Sequence, residues 1–239
     1  MLTGGEVAVP AGRPLILFAM REERDPFLAL ARRSGATLRR RSPGWHELLL
    51  RGEIFDVVLT GVGARSVLER LASIEPSEII HPGFAGALDP DLLPGAVRGI
   101  DRVRAGPRLI EVPDSSRKAA QAGLIGAVLV TAPLPADRRT KRIMHADAAG
   151  ELVDMESATS LSCCLEENIP WTGLRVVSDA LDDEIPAVVR QAFDGRQFRR
   201  WPIMRAAIFN RQLRVALLAL RRRSRLAADA LAEALLTSL

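Results

Sequence analysis

Short apolar runs recur along this chain, each closed by a polar or glycine-rich break and most followed by helical spacing. Pro14-Leu15-Ile16-Leu17-Phe18-Ala19-Met20 has no polar alternation, which predicts a strand covered on both faces. It runs into Arg21-Glu22-Glu23-Arg24 and a helix through about Arg33. Trp45 to Leu50 and Ile54 to Thr60 predict a hairpin-like pair. Thr60-Gly61-Val62-Gly63-Ala64-Arg65 reads as a glycine turn before a helix over Ser66 to Ile74. Glu78-Ile79-Ile80-His81 predicts a strand that enters a second glycine turn, Pro82-Gly83-Phe84-Ala85-Gly86-Ala87-Leu88. Pro94-Gly95-Ala96-Val97 restarts an extended segment, and Ser115 to Gly123 predicts a helix. Ile125 to Thr131 predicts a strand, and Ala132 to Thr140 a loop carrying Pro133 and Pro135. Then Leu152 to Met155 is a short apolar run broken by Asp154, Ala158 to Asn168 is helical, and Pro170 marks the helix end. The β-branched run Gly173-Leu174-Arg175-Val176-Val177 stops at Ser178-Asp179. Strand, helix, strand is the crossover unit of a parallel sheet, where ligands sit at carboxyl ends of strands. Glu156 and Asp179 are therefore expected to open into one crevice.

Strands alternate with helices and no repeat interrupts them, which predicts one three-layer α/β domain over 1–239. Residues 1–12 form a loose N-terminus and 196–239 a basic helical extension. Within that extension Phe209, Leu213, Ala216, Leu217 and Leu220 share one helix face at about 100° per residue. Arg211, Arg214, Arg221, Arg222 and Arg225 gather on the opposite face, with Val215 and Leu218 among them.

The net charge of +4 changes meaning once this tail is seen. Arg196 to Arg225 holds 10 arginines and no acid, which leaves 23 basic against 29 acidic residues elsewhere. The basic character is local. A basic helix fits an anionic membrane surface; a solvated face packed on the domain or a second subunit fits equally well. Aromatic content of 4% without basic–aromatic interleaving argues against nucleic acid. No apolar run reaches the roughly 20 residues of a membrane span, and Met1 to Gly12 lacks the charged start of a signal peptide. The adjacent Cys163 and Cys164 cannot bridge each other, so a reduced cytoplasmic protein is expected, with peripheral contact at the inner membrane surface through the tail. Three widely spaced histidines give no metal pattern, and no segment calls for a cofactor.

Candidate chemistry collects at the breaks: Glu23, the Gly61/Gly63 turn, the Gly83/Gly86 turn, and Glu156 with Asp179. Glycine turns let backbone N–H groups approach a ligand. Each feature alone has a plainer reading, a structural bend for the glycines and a helix cap or dipole partner for the acids. Together they outline a site.

These residues resemble the purine nucleoside phosphorylase and nucleosidase superfamily. Ala19-Met20-Arg21-Glu22-Glu23 resembles the opening segment of methylthioadenosine/S-adenosylhomocysteine nucleosidases. Thr60-Gly61-Val62-Gly63 and Gly83-Phe84-Ala85-Gly86-Ala87-Leu88 resemble their two glycine motifs. Val153-Asp154-Met155-Glu156-Ser157-Ala158 resembles their ribose motif, and Arg175-Val176-Val177-Ser178-Asp179 the motif bearing the catalytic acid. The matches run in family order over about Pro14 to Glu184. Asp154-Met155-Glu156-Ser157, Gly83 to Pro90 and the arginine-rich tail are closest to the hopanoid-associated phosphorylase branch, thought to remove adenine from adenosylhopane.

The resemblance implies an α/β/α phosphorylase/hydrolase-like fold with a mixed central sheet and a helical tail. It implies N-glycosidic cleavage of an adenosine-type nucleoside by a homo-oligomer, a dimer being favoured. Breaking that bond makes an oxocarbenium-like sugar and an anionic base, which a protonated carboxyl can neutralise. Asp179, at a buried strand end, is expected to have a raised pKa and to be that acid. Glu156 would accept the ribose diol, with Met155 as an apolar floor. Ser178, Gly83, Phe84 and Gly86 would complete the substrate site. Glu23 would orient or deprotonate a water.

Phosphorolysis instead needs arginines and amides around a dianion. Gly61, Gly63 and Arg65 are the candidates for that phosphate or water site, and Arg21 or Arg24 could assist. Where phosphorylases carry Arg-x-Gly-Ser/Thr, this chain has His81-Pro82-Gly83-Phe84, so the acceptor, water or phosphate, stays open here. Phe84 suits an apolar substrate, and Leu134 stands where nucleosidases stack an aromatic residue on the base. The alternatives are a methylthioadenosine/S-adenosylhomocysteine-type nucleosidase and a non-catalytic, membrane-associated nucleoside-binding module.

Overall fold

A computed structural model describes residues 12–63, 75–113, 123–148, 150–193 and 200–239. The expected helices over Ser66 to Ile74 and Ser115 to Gly123 lie outside these residues except for Gly123, as does Arg65. The strands are β1 (Pro14–Phe18), β2 (Thr37–Ser42), β3 (Trp45–Leu50), β4 (Glu53–Leu59), β5 (Glu78–Ala87), β6 (Val97–Ala105), β7 (Arg108–Glu111), β8 (Gly126–Thr131), β9 (Leu152–Asp154) and β10 (Trp171–Asp179). The helices are α1 (Arg21–Arg33), α2 (Arg138–Ala148), α3 (Ser157–Glu166), α4 (Ala187–Gln191), α5 (Arg200–Phe209) and α6 (Arg211–Ser238).

The sheet is mixed. β1 runs parallel to β4 and β5, and β4, β3 and β2 continue as an antiparallel meander. On the other side β5 pairs parallel with β10, β10 antiparallel with β6, β6 parallel with β8, and β8 parallel with β9. β9 then pairs antiparallel with β5, so the path closes on itself. The first strand shows why its sequence lacks alternation. Leu15 and Leu17 enter one core cluster with Trp171 and Leu161 of α3, while Ile16 and Phe18 enter another with Phe27 of α1 and Leu231 of α6. Both faces are covered, α1 and α6 on one side and α3 on the other.

Two expectations are corrected. First, β9–α3–β10 is not a parallel crossover. β9 and β10 flank β5 from opposite sides and run opposite to each other, because β5 takes β9 antiparallel and β10 parallel. Second, Pro82 to Ala87 is not a glycine turn but the second half of β5. Gly83 and Gly86 are there for proximity. A Cβ on Gly86 would lie 3.1 Å from Asp179 Oδ2 and 3.3 Å from Val153 Cγ1. The turn at Gly61 and Gly63 is a true one, with both residues at left-handed φ of 96° and 94°.

Candidate active site

The ends of β5, β9 and β10 and the first turn of α1 line a cleft that opens to solvent. Glu23 enters from α1, Phe84 and Gly86 from β5, Met155 and Glu156 from the β9–α3 junction, and Ser178 and Asp179 from β10. The structure thus brings together all but one of the expected catalytic and substrate residues on one lining. Gly83 stands behind it, where a Cβ would meet Arg175 Nη1 and Glu23 Oε1 at 3.4 Å. Of the first glycine turn, Val62 faces the cleft.

Glu23 sits three residues into α1 after the N-cap Met20, and its Oε2 accepts the Met20 N–H at 2.9 Å. Its Oε1 accepts the Phe84 N–H of β5, also at 2.9 Å. A residue that reads as a helix cap is therefore also pinned between two elements at the cleft. Burial pushes its pKa up to about 7, against the pull of the Phe84 and Met20 amides and of Arg175.

Glu156 holds the N-cap position of α3 but does not cap it. Asp154 does, its Oδ2 accepting the Ser157 N–H at 3.1 Å. The Glu156 carboxyl turns instead to the glycine turn, where Oε1 accepts the Gly63 N–H at 2.7 Å. One amide of the expected phosphate or water site is thereby occupied. Burial, then the Asp154 charge, hold the Glu156 pKa well above the usual carboxylate range, with Glu23 adding to the effect.

Beneath these acids lies a buried pair that fixes the floor. Arg175 Nη2 donates to Asp154 Oδ2 at 3.0 Å and to Ser157 Oγ at 2.6 Å. Its Nη1 donates to the carbonyls of His81 and Leu174. The Thr131 hydroxyl donates to Asp154 Oδ1 at 2.9 Å. With every polar atom of this pair partnered by neighbours, four strands, β5, β8, β9 and β10, are tied together under the cleft. Two charges standing inside apolar runs were the sequence signal for it.

Asp179 stands at the end of β10 with a cation beside it. Lys141 of α2, fully buried, places Nζ 2.7 Å from Asp179 Oδ2 and also donates to the Ala180 carbonyl. The Ser178 hydroxyl donates to Asp179 Oδ1 at 2.7 Å. Lys141 escaped the sequence reading because α2 did. The signal was Asp137, whose Oδ1 accepts the Thr140 N–H at 2.8 Å at the start of that helix. Leu134 and Ile185 close the outer wall. Arg21 is exposed and Arg24 bonds Asp25 at 2.6 Å; neither lines the cleft. Among the described residues no group of His, Cys, Asp and Glu could hold a metal ion.

The mixed sheet closing on β5 is a fold shared with solved structures of a futalosine hydrolase and of nucleosidases. Futalosine hydrolase of Helicobacter pylori matches with a TM-score of 0.69 and 17% identity over 95% of this chain and 97% of that one. The 5′-methylthioadenosine/S-adenosylhomocysteine nucleosidase of H. pylori, complexed with butyl-thio-DADMe-Immucillin-A, matches with a TM-score of 0.64 and 17% identity over 94% and 98%. The 5′-methylthioadenosine nucleosidase of Arabidopsis thaliana matches with a TM-score of 0.61 and 16% identity over 95% and 96%. At these identities the likeness speaks for the fold alone. No protein-family model matches the chain, and no curated protein matches it significantly.

Proposed function

We propose that this protein hydrolyses the N-glycosidic bond of an adenosine-type nucleoside. The observation that carries the reading is Glu23, a buried carboxyl pinned by two backbone amides on the same cleft as Asp179 and Glu156. A base with a pKa of about 7 is suited to taking a proton from water near neutral pH, whereas a carboxylate there repels a phosphate dianion. As the C1′–N9 bond breaks, its electron pair goes to the purine, and Asp179, a carboxylate paired with Lys141 in the free protein and proton-bearing in the substrate complex, gives that proton to the base. The Lys141 ammonium offsets the carboxylate charge left behind. Water attacks C1′ and its proton passes to Glu23, giving free base and ribose. Glu156 accepts the ribose diol and Met155 lies under the sugar.

The apolar lining of Val62, Phe84 and Ile185 favours a lipophilic 5′-substituent. With the resemblance to the hopanoid-associated branch, this supports adenosylhopane as the kind of substrate. The test is release of adenine from adenosine, methylthioadenosine and 5′-alkyl adenosines, with and without phosphate, in water labelled with heavy oxygen. Labelled ribose without phosphate is expected. Strict phosphate dependence overturns the acceptor, and no adenine from any nucleoside overturns the activity. Asp179→Asn should lower turnover by roughly 10² or more, the scale of general acid catalysis.

A further inference from the structure

The α5–α6 segment contributes no side chain to the cleft lining, yet it carries a concentration of exposed apolar and basic groups. On α5, Trp201 (72% exposed), Met204 and Ile208 (66%) fall within about 60° of arc at ~100° per residue. On α6, Val215 and Leu218 (64% exposed) share an arc with the exposed Arg211, Arg222 and Arg225. Arg214 caps α5, its Nη1 donating to the Ala207 and Ile208 carbonyls at 2.9 and 3.0 Å, which draws the end of α5 beside this face. No acid lies between Arg200 and Arg225. The second half of α6 differs: Ala227, Leu231 and Leu235 are buried in the core with α1 and β10. The extension is thus anchored at one end and bare at the other.

We propose that α5 and the first half of α6 dock on an anionic lipid bilayer, their apolar side chains entering the headgroup boundary while their arginines meet lipid phosphates. Charge complementarity selects this occupant. A second copy docking the same face isologously would press arginines against arginines. A nucleic-acid backbone would use the arginines and leave Met204, Ile208, Val215 and Leu218 wet. Clusters of arginine around aliphatic and Trp side chains are what interfacial helices present. Among the described residues no helix is long and apolar enough to cross a membrane, so the contact is at the surface. This inference stands apart from the proposed hydrolysis, because vesicle binding is read without turnover.

The full chain is mixed with vesicles of phosphatidylcholine, or of phosphatidylcholine with one third phosphatidylglycerol, and sedimented at low and high salt. Truncation is unsuitable, since it removes core residues of α6. Instead Arg211→Ser/Arg222→Ser/Arg225→Ser and Trp201→Ser/Leu218→Ser are compared, all at exposed positions. Trp171 is buried and Trp45 bonds Asp56, so Trp201 is the indole whose emission should move to the blue on docking. Expected are pelleting with anionic vesicles at low salt, that blue shift, and roughly tenfold or greater weakening by high salt, neutral lipid or either variant, given several basic residues at the surface. Three outcomes overturn the proposal: the parent staying in the supernatant with anionic vesicles at low salt, binding that ignores the Trp201/Leu218 change, or a preference for duplex DNA over these vesicles. A dimer lost on Leu218→Ser, with vesicles ignored, also overturns it and assigns the face to a second copy.

Discussion

Lys141 and Asp179 both line the cleft, with Nζ 2.7 Å from Oδ2. Both are buried, and the ammonium has one carboxylate and one carbonyl to hold it. Taking two charges out of water is costly, so such a pair adds little net stability, but breaking it leaves a lone buried charge. Lys141→Met should therefore cost about 3–5 kcal/mol in denaturant unfolding. Lys141→Met/Asp179→Asn should lie much closer to the parent, because neither charge remains. Additive losses would show that the two groups do not feel each other. Glu156 has a different test. Assayed at about pH 9, above the raised Glu156 pKa of about 8, Glu156→Gln should weaken nucleosides far more than their 2′-deoxy analogues, since a carboxylate accepting two hydroxyls loses most when both are present. Equal losses in KM for the two substrates would remove Glu156 from the ribose.

Among the elements, α6 separates what packs from what only looks amphipathic. Leu231 is fully buried against α1 and β10, and Leu218 is mostly exposed on the same helix. Leu231→Ala should cost about 2–5 kcal/mol, the usual range for a core leucine, and Leu218→Ala under about 0.5 kcal/mol, as for surface changes; thermal and urea unfolding of the two variants decide it. The sequence reading of 196–239 as one basic extension missed this change of role, because periodicity reports which residues share a face and not what covers it. β1 was legible, since a run covered on both faces needs no partner to be recognised. The Gly83–Gly86 stretch was misread for the opposite reason. Its glycines answer to Arg175, Glu23 and Asp179, residues distant in sequence, and locally they look like a bend. The antiparallel relation of β9 and β10 was likewise hidden, because pairing partners are chosen by the whole sheet. The acids at the strand ends were readable because each interrupts an apolar run; Lys141 was not, because its helix starts inside a proline-bearing loop.

Across the whole molecule, the buried ionisable groups pull stability against pH in opposing directions. Glu23 has its pKa raised from 4.5 to about 7 in the folded protein, and Glu156 is raised too. Between these values the folded state binds more protons than the unfolded, so stability falls as pH rises through that window. His81 and His46 act the other way. Burial, with Arg175 beside His81 and Arg24 beside His46, lowers their pKa from 6.5, so their contribution is present above about that pH and lost as pH falls. The parent's own profile therefore mixes contributions of both signs, and its Tm against pH does not separate them. The difference between parent and Glu23→Gln reads Glu23 first, and the easing of the Glu156 shift once the Glu23 charge is gone adds to it with the same sign. Gln keeps the shape and holds no titrating proton, while the histidines and Glu156 remain in both proteins. As pH rises from about 5 to 8, Glu23→Gln should gain stability relative to the parent, by on the order of 3 kcal/mol for a shift of this size. The sign follows from the parent alone being obliged to ionise a buried carboxyl or keep its proton against rising pH. Urea unfolding of both proteins across that range measures it. A difference that stays constant with pH would mean that Glu23 ionises as freely in the cleft as in the unfolded chain, and would leave it without the neutral-pH proton affinity that suits it to activate water.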